Sequence, residues 1–255
     1  MNNDTPCITL VGYGTMARAI LCACHEQFRF EIIGRDISKA AALAKEFGQT
    51  SFGSVGFDGH VFEAEGKNIL LAVKPHALSS FRTKGYAQSV MSVLAGVSIA
   101  SLEKTCPALH HVRAMPNIAA VYRQSCTALF ATEKIALAEQ LFGACGSIIW
   151  LSSENKFDAA MALSGCAPAY LAMAAEALSD AGVREGLSRE ESIAFVRGLF
   201  HGFASLLDKQ HPELIKESVA SPSGVTIEGV ALLESCGFRG ALIEAIHRSL
   251  AKVRK

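Results

Sequence analysis

Up to Leu151 the chain is punctuated by short segments that read as β-strands, and beyond it there are none. Cys7–Val11 reads C-I-T-L-V, and further candidates follow at residues 30–33, 69–73, 89–94, 110–112, 127–130 and 147–151. Brief apolar runs without polar alternation suit strands buried on both faces, and the helical patterns between them, clearest at 135–142, supply the covering layers. Ser38 is placed to cap a helix ending near Phe47 and Gly48. This alternation predicts a mostly parallel sheet with helices on both sides. After Leu151 only helical periodicity remains. Pro168 can open a helix carrying Tyr170, Leu171, Ala174, Ala175 and Leu178 to Gly182. Ser188 and Glu191 form a capping box ahead of Ile193, Val196, Leu199, Phe200, Phe203 and Leu207. A shorter helix spans 226–234 and stops at Gly237. A last one runs from Arg239 to Arg248, Lys252, Arg254 and Lys255, cations suited to a helix C-terminus. The expected organisation is an α/β domain over residues 1–152 and an all-α domain over 153–255.

With 255 residues, 50% apolar and 19% charged, the chain can bury a large core, which excludes disorder as its main state. Lys+Arg and Asp+Glu both number 24, so no net charge draws it to nucleic acid or to an anionic membrane. A mean hydropathy of +0.28 invites a search for a membrane span. The uncharged stretches 85–102 and 159–175 are expected to fall short, the first for its serines and glycines, the second because Ser164, Gly165 and Pro168 break it. The apolar surplus then points to a large helical subunit interface. The chain opens on Asn2, Asn3 and Asp4 and runs straight into a strand without a basic, apolar leader, so a cytoplasmic protein is expected. Its eight cysteines (Cys7, Cys22, Cys24, Cys106, Cys126, Cys145, Cys166 and Cys236) follow no C-x-x-C or paired Cys/His spacing. They read as buried small apolar residues, not as a metal site or disulfide framework.

Between the first strand and the first helix lies Gly12-x-Gly14-x-x-Ala17. Gly12 permits a tight turn, Gly14 admits a pyrophosphate close to the backbone, Ala17 lets helix and strand pack closely, and the helix N-terminus supplies N–H donors. In this position the motif predicts a dinucleotide site on a Rossmann-like doubly wound sheet. The second strand ends Ile33-Gly34-Arg35-Asp36. An acidic rim residue would favour NADH through the ribose 2′-hydroxyl, whereas Arg35 can clamp the 2′-phosphate of NADPH. Arg35 comes first, which favours NADPH, with Asp36 as the alternative if the strand is longer. Ala72-Val73-Lys74-Pro75 ends another buried strand, on the edge where open parallel sheets bind ligands.

Several segments, in order and spacing, resemble the pyrroline-5-carboxylate reductase family: V-G-Y-G-T-M-A from Val11, A-V-K-P from Ala72, R-A-M-P-N from Arg113, and L-S-G-C-A-P-A-Y from Leu163. Further along, E-A-L-S-D-A-G-V from Glu176, H-P-E-L-I-K from His211, S-P-S-G-V-T-I-E from Ser221 and L-E-S-C-G-F-R from Leu233 extend the resemblance over nearly the whole chain. The chain departs from the family's usual motifs at Ile118-Ala119, Cys166-Ala167, Ser223 and Val225. A family-typical Gly at position 223 would suit a positive φ, which Ser adopts only under strain.

The resemblance implies reduction of 1-pyrroline-5-carboxylate to L-proline, the last step of proline synthesis, by hydride transfer from NADPH or NADH to a cyclic imine. It implies a cofactor set of Gly12, Gly14, Thr15, Met16, Ala17, Arg35, Ala72, Val73, Lys74, Pro75 and Ala95. The implied substrate set is Asn117, Ser221, Gly224, Val225 and Thr226. Ser221 would donate to the substrate carboxylate, Val225 would offer its backbone N–H, and Thr226 would act catalytically by hydrogen-bonding the ring nitrogen. A homodimer, or a larger assembly of dimers through the α-helical dimerisation domain, follows from the same resemblance, with active sites at the dimer boundary. Related imine or 3-hydroxyacid oxidoreductases are the nearest rivals, but residues 170–181 lack the lysine that the hydroxyacid enzymes use. A non-catalytic NADP-sensing or vitamin B6-handling regulator on the same fold is disfavoured by the intact Thr226.

Overall fold

A computed structural model describes residues 5–51 and 56–253. Asn2, Asn3, Asp4, Arg254 and Lys255 lie outside these described residues. The chain divides into two compact units, one running to Gly165 and taking in the residues from Leu250, the other spanning Cys166–Ser249.

Each expected strand of the first unit is present, with slightly different ends. The strands are β1 (Cys7–Val11), β2 (Arg29–Ile33), β3 (Thr50–Ser51), β4 (Phe62–Glu63), β5 (Asn68–Leu71), β6 (Thr83–Lys84), β7 (Ala87–Ser92), β8 (Ala108–Met115), β9 (Ser125–Ala131) and β10 (Gly146–Trp150). Eight form one sheet in the order β10-β9-β8-β7-β5-β1-β2-β3, and its neighbours are parallel except for the antiparallel pair β8 and β9. The remaining two, β4 and β6, pair with each other. Helices α1 (Thr15–Cys24), α2 (Ile37–Glu46), α3 (Ile99–Thr105), α4 (Ala136–Gly143) and α5 (Phe157–Met161) complete the unit.

Successive side chains of a strand point to opposite faces, and both faces of the central strands are dry, whereas the edge strands β3 and β10 are partly exposed. Ile8, Leu10 and Leu70 join Ile20, Leu21, Leu43 and Leu141 from α1, α2 and α4 on one side. Val11, Ile69 and Leu71 join Phe57, Phe81, Ile99 and Leu102 on the other. Each large buried side chain contributes about 1.5–3 kcal/mol, so the carboxyl edge of the sheet is a rigid platform. Chain order reverses at β1, which has β2 on one flank and β5 on the other. That reversal opens the crevice in which doubly wound sheets take their ligands.

The second unit is helical, with α6 (Ala167–Arg184), α7 (Arg189–Leu207), α8 (Pro212–Val219), α9 (Val225–Ser235) and most of α10 (Phe238–Val253). The capping box forms as expected: Ser188 Oγ accepts from the Glu191 N–H at 3.2 Å, and the Ser188 N–H donates to the Glu191 carboxylate at 2.8 Å. This holds the Glu191 carboxyl below its ordinary range. Gly237, with φ +72, separates α9 from α10.

Three expectations are corrected. Asp36, not Ser38, caps α2: its carboxylate accepts the Lys39 N–H at 3.0 Å. Ser164, Gly165 and Pro168 do not break the helix they fall in. Ala162–Cys166 form a π-helical turn, and Pro168 sits in the first turn of α6, where a missing N–H costs nothing. The resulting helical run, Glu154–Arg184, is long and apolar enough to cross a membrane by length and composition alone. Its Leu171, Met173 and Leu178 are exposed in the second unit, together with Phe195, Leu199 and Ile243, an apolar surface of the kind the expected subunit interface would cover. Finally, the cysteines are all free, but only Cys24, Cys106 and Cys145 are buried, and Cys236 is exposed.

Candidate active site

The first cradle lies at the carboxyl ends of β1 and β5. Gly12 has φ +122, and a Cβ there would stand 2.5 Å from the Ala72 carbonyl oxygen. Only glycine lets the loop after β1 lie this close to Ala72 and Val73. Gly14 follows with φ −80 and ψ −175, and nothing lies within 4 Å of where its Cβ would be. No side chain caps α1 and no acidic residue occupies its first turn, so the N–H groups of Thr15, Met16 and Ala17 meet no competing carboxylate. Ala17 is fully buried against the sheet. An uncapped helix start behind an open glycine suits a pyrophosphate on steric and electrostatic grounds alike.

On the β2 side, the Tyr13 ring packs where a Cβ on Gly34 would lie, 2.5 Å from its nearest ring carbon, so Gly34 joins the two loops closely. Arg35 is exposed and has no ion-pair partner among the described residues. The Asp36 carboxylate is committed elsewhere: the Lys39 N–H and, at 3.1 Å, the Lys39 ammonium hold it below the usual carboxylate range. Beyond the switch point, Val73 is half-buried and Lys74 exposed, and Pro75 opens a 3-10 helix, Pro75–Ser80. Ala95 and Gly96 are exposed in the loop between β7 and α3. The cofactor residues expected from sequence thus share the carboxyl edge of one sheet.

Asn117 stands on the same edge, after β8. Its carbonyl accepts from the Ala119 N–H at 3.0 Å and its amide donates to Ser164 Oγ at 3.3 Å, so both ends of the side chain are engaged. Ser164 donates in turn to the Cys126 carbonyl at 2.5 Å. Ser164 was missed as a supporting residue, although it falls inside the L-S-G-C motif.

The second cradle belongs to the helical unit. Ser221 and Gly224 close a turn, with the Gly224 N–H donating to the Ser221 carbonyl at 3.0 Å. Ser223, its third residue, has φ +58, as in a type II turn, which favours glycine there. Gly224 caps α9 with φ −81 and ψ 167, and α9 has no side-chain cap. A Cβ on Gly224 would stand 2.5 Å from Ser221 Oγ, so the glycine keeps that hydroxyl beside the helix start. Val225 is 92% exposed and Thr226 half-buried, its hydroxyl without a partner among the described residues. The uncapped first N–H groups of α9 and the Ser221 hydroxyl lie at the same helix start, a setting suited to a small carboxylate. No group of three or more His, Cys, Asp or Glu able to hold a metal ion occurs among the described residues.

A family profile described as pyrroline-5-carboxylate reductase dimerisation matches residues 154–255. The pyrroline-5-carboxylate reductase of Helicobacter pylori (strain ATCC 700392 / 26695) is 38% identical, covering 97% of this chain and 98% of its own. The chain belongs to the pyrroline-5-carboxylate reductase family. A solved Streptococcus pyogenes reductase is 27% identical, with a TM-score of 0.84 over 97% of each chain. A Plasmodium falciparum pyrroline carboxylate reductase with NADP bound, 24% identical over 97% of this chain and 98% of its own, shares the fold with a TM-score of 0.76. As a reductase of this family the chain is an oxidoreductase with a mostly parallel sheet and a helical dimerisation segment. Against that background, Ser223 adopts a left-handed backbone at the cost of about 1–2 kcal/mol, so this departure from the family's usual motif strains the turn before α9.

Proposed function

We propose that the protein reduces 1-pyrroline-5-carboxylate to L-proline, with NADPH preferred to NADH. The observation that carries this reading is the pair of uncapped, glycine-led helix starts, α1 and α9, each preceded by a positive-φ residue and each suited to a different small anion. Gly14 and the first N–H groups of α1 would hold the pyrophosphate. When bound, the nicotinamide cofactor supplies a hydride. Ser221 Oγ and the Val225 N–H would bind the substrate carboxylate, in charge-assisted bonds of about 1.5–3 kcal/mol each. Thr226 Oγ1 would hydrogen-bond the ring nitrogen and fix the orientation of the imine carbon. A cyclic iminium is already electrophilic, so these residues need only bind and orient, and such positioning can supply about 7–11 kcal/mol of the barrier.

Preference for NADPH is supported by the engagement of Asp36 with Lys39, which takes the rim carboxylate out of competition and leaves Arg35 free for a 2′-phosphate. We infer a homodimer or an assembly of dimers, supported by the exposed apolar residues of α6, α7 and α10, and a cytoplasmic setting, supported by eight unpaired thiols. The deciding experiment follows NADPH oxidation with pyrroline-5-carboxylate and with no substrate, and NADP reduction with a 3-hydroxyacid. Turnover with the imine alone is expected; turnover with the hydroxyacid alone, or none with either, would overturn the assignment. A folded, active monomer in sedimentation would contradict the subunit interface.

A further inference from the structure

Arg113 on β8 is a charged residue in the interior, 5% exposed, and the reaction proposed above gives it no task. Its guanidinium lies 4.0 Å over the Phe157 ring, Nη1 donates to the Glu154 carboxylate at 3.0 Å, and Nη2 stands 3.8 Å from Asp158. Nε is buried without a hydrogen-bond partner, so the charge is balanced through the Nη groups. The same Glu154 oxygen that binds Arg113 also accepts the N–H of Ile99, at 2.8 Å, the first residue of α3. Ser98 takes a different N–H of that helix start, from Ser101 at 3.2 Å.

These contacts bracket one loop. Residues 93–98 leave β7 at Ser92, which is in register with Arg113 on β8, and re-enter regular structure at Ile99, which is bound to Glu154. Arg113 therefore lies beside Ser92, the last strand residue before the loop, and reaches the loop's exit through Glu154. Between those points lie the exposed Ala95 and Gly96, the latter at φ +70. In a doubly wound sheet a dinucleotide crosses the switch point. With its adenosine 2′-phosphate beside Arg35 after β2, its nicotinamide end falls on the far flank, toward β5, β7 and β8.

Resting on the dinucleotide reading above, we propose that Arg113 and Glu154 are positioning residues that fix the Ala95–Gly96 loop against the nicotinamide end of the cofactor. Neither touches the reacting atoms. Their effect is confined to one end of the dinucleotide, which a general loss of stability would not imitate.

The test compares binding of whole NADPH with binding of 2′,5′-ADP, which carries only the adenosine end, in wild type, Glu154→Ala and Glu154→Gln. Glu154→Ala is expected to weaken NADPH about tenfold or more, since small misplacements are magnified in binding and orientation, while 2′,5′-ADP changes less than about twofold. Glu154→Gln still accepts the Ile99 N–H and should recover most of the loss. Should Glu154→Ala fold poorly, Ile99→Pro removes the same hydrogen bond at a helix position that tolerates proline, after a Ser98 already extended at φ −79 and ψ 161. It should separate the two ligands in the same direction. Equal weakening of both ligands, or NADPH binding unchanged in Glu154→Ala and Ile99→Pro, would overturn the proposal. Failure of the wild type to bind NADPH would overturn the dinucleotide reading and this inference together, a result distinct from failure of the variants alone.

Discussion

Gly14 ahead of α1 and Gly224 ahead of α9 have almost the same backbone, φ −80 and ψ −175 against φ −81 and ψ 167, and neither helix has a side-chain cap. Their supports differ completely. The loop before α1 lies against Ala72 on a sheet whose central strands are buried on both faces, and α1 itself buries Ala17, Ala19, Ile20, Leu21, Ala23 and Cys24. The loop before α9 stands on a helix with no buried residue and contains a serine in a backbone conformation that favours glycine. The same uncapped, glycine-led helix start is thus built once on a rigid platform and once on an exposed helix. A cofactor that is retained through its pyrophosphate suits the first, and a small substrate that must enter and leave suits the second.

The sharpest way to break this contrast is Gly12→Ala. The added methyl meets the Ala72 carbonyl and must also adopt φ +122, so a loss of about 3 kcal/mol or more in unfolding free energy, with loss of NADPH binding, is expected. Thr226→Ala should lower kcat/KM for the imine about 10- to 100-fold while NADPH still binds in a fluorescence titration. Equal losses in both would make Thr226 structural. Arg35→Ala should weaken NADPH about tenfold or more and leave NADH unchanged, and an unaltered cofactor ratio would remove the 2′-phosphate role. Ser223→Gly should raise stability by about 1 kcal/mol in denaturant unfolding, with substrate binding kept, because it relieves a left-handed residue.

The smallest expected effect concerns acid. Asp36 has its carboxyl lowered by the Lys39 N–H, so its cap stabilises above the unfolded-state value and is lost as pH falls through the folded one. Wild type and Asp36→Asn should accordingly differ in stability near neutrality and converge in acid. A constant difference down to pH 2 would contradict the cap.

Much of this was legible before any coordinates. Apolar runs announced the strands because the central strands are buried on both faces, and the family resemblance, through its usual glycine at position 223, announced the strained Ser223. Other features left no periodic trace. β3, β4 and β6 are pairs of residues, too short to show alternation. Asp36 and Ser38 are both good caps, and only the start of α2 chooses between them. Ser164, Gly165 and Pro168 look like helix breakers, yet a π-turn and a first-turn position accommodate them. The bond from Arg113 to Glu154 joins residues 41 apart and is set by tertiary packing alone.

Little inside the second unit is sealed from solvent: α6 buries only Ser179, α7 only Ser192, α8 only Ile215 and α9 nothing. Ordering a helical residue costs about 1–2 kcal/mol of backbone entropy, which so small an interior cannot offset. The expected outcome is that its folding is coupled to association, so that dilution lowers its stability; a midpoint independent of concentration would contradict that coupling. Each tenfold rise in protein concentration adds about 1.4 kcal/mol to the assembled state, so the midpoint of thermal unfolding climbs with concentration instead of being a constant of the chain.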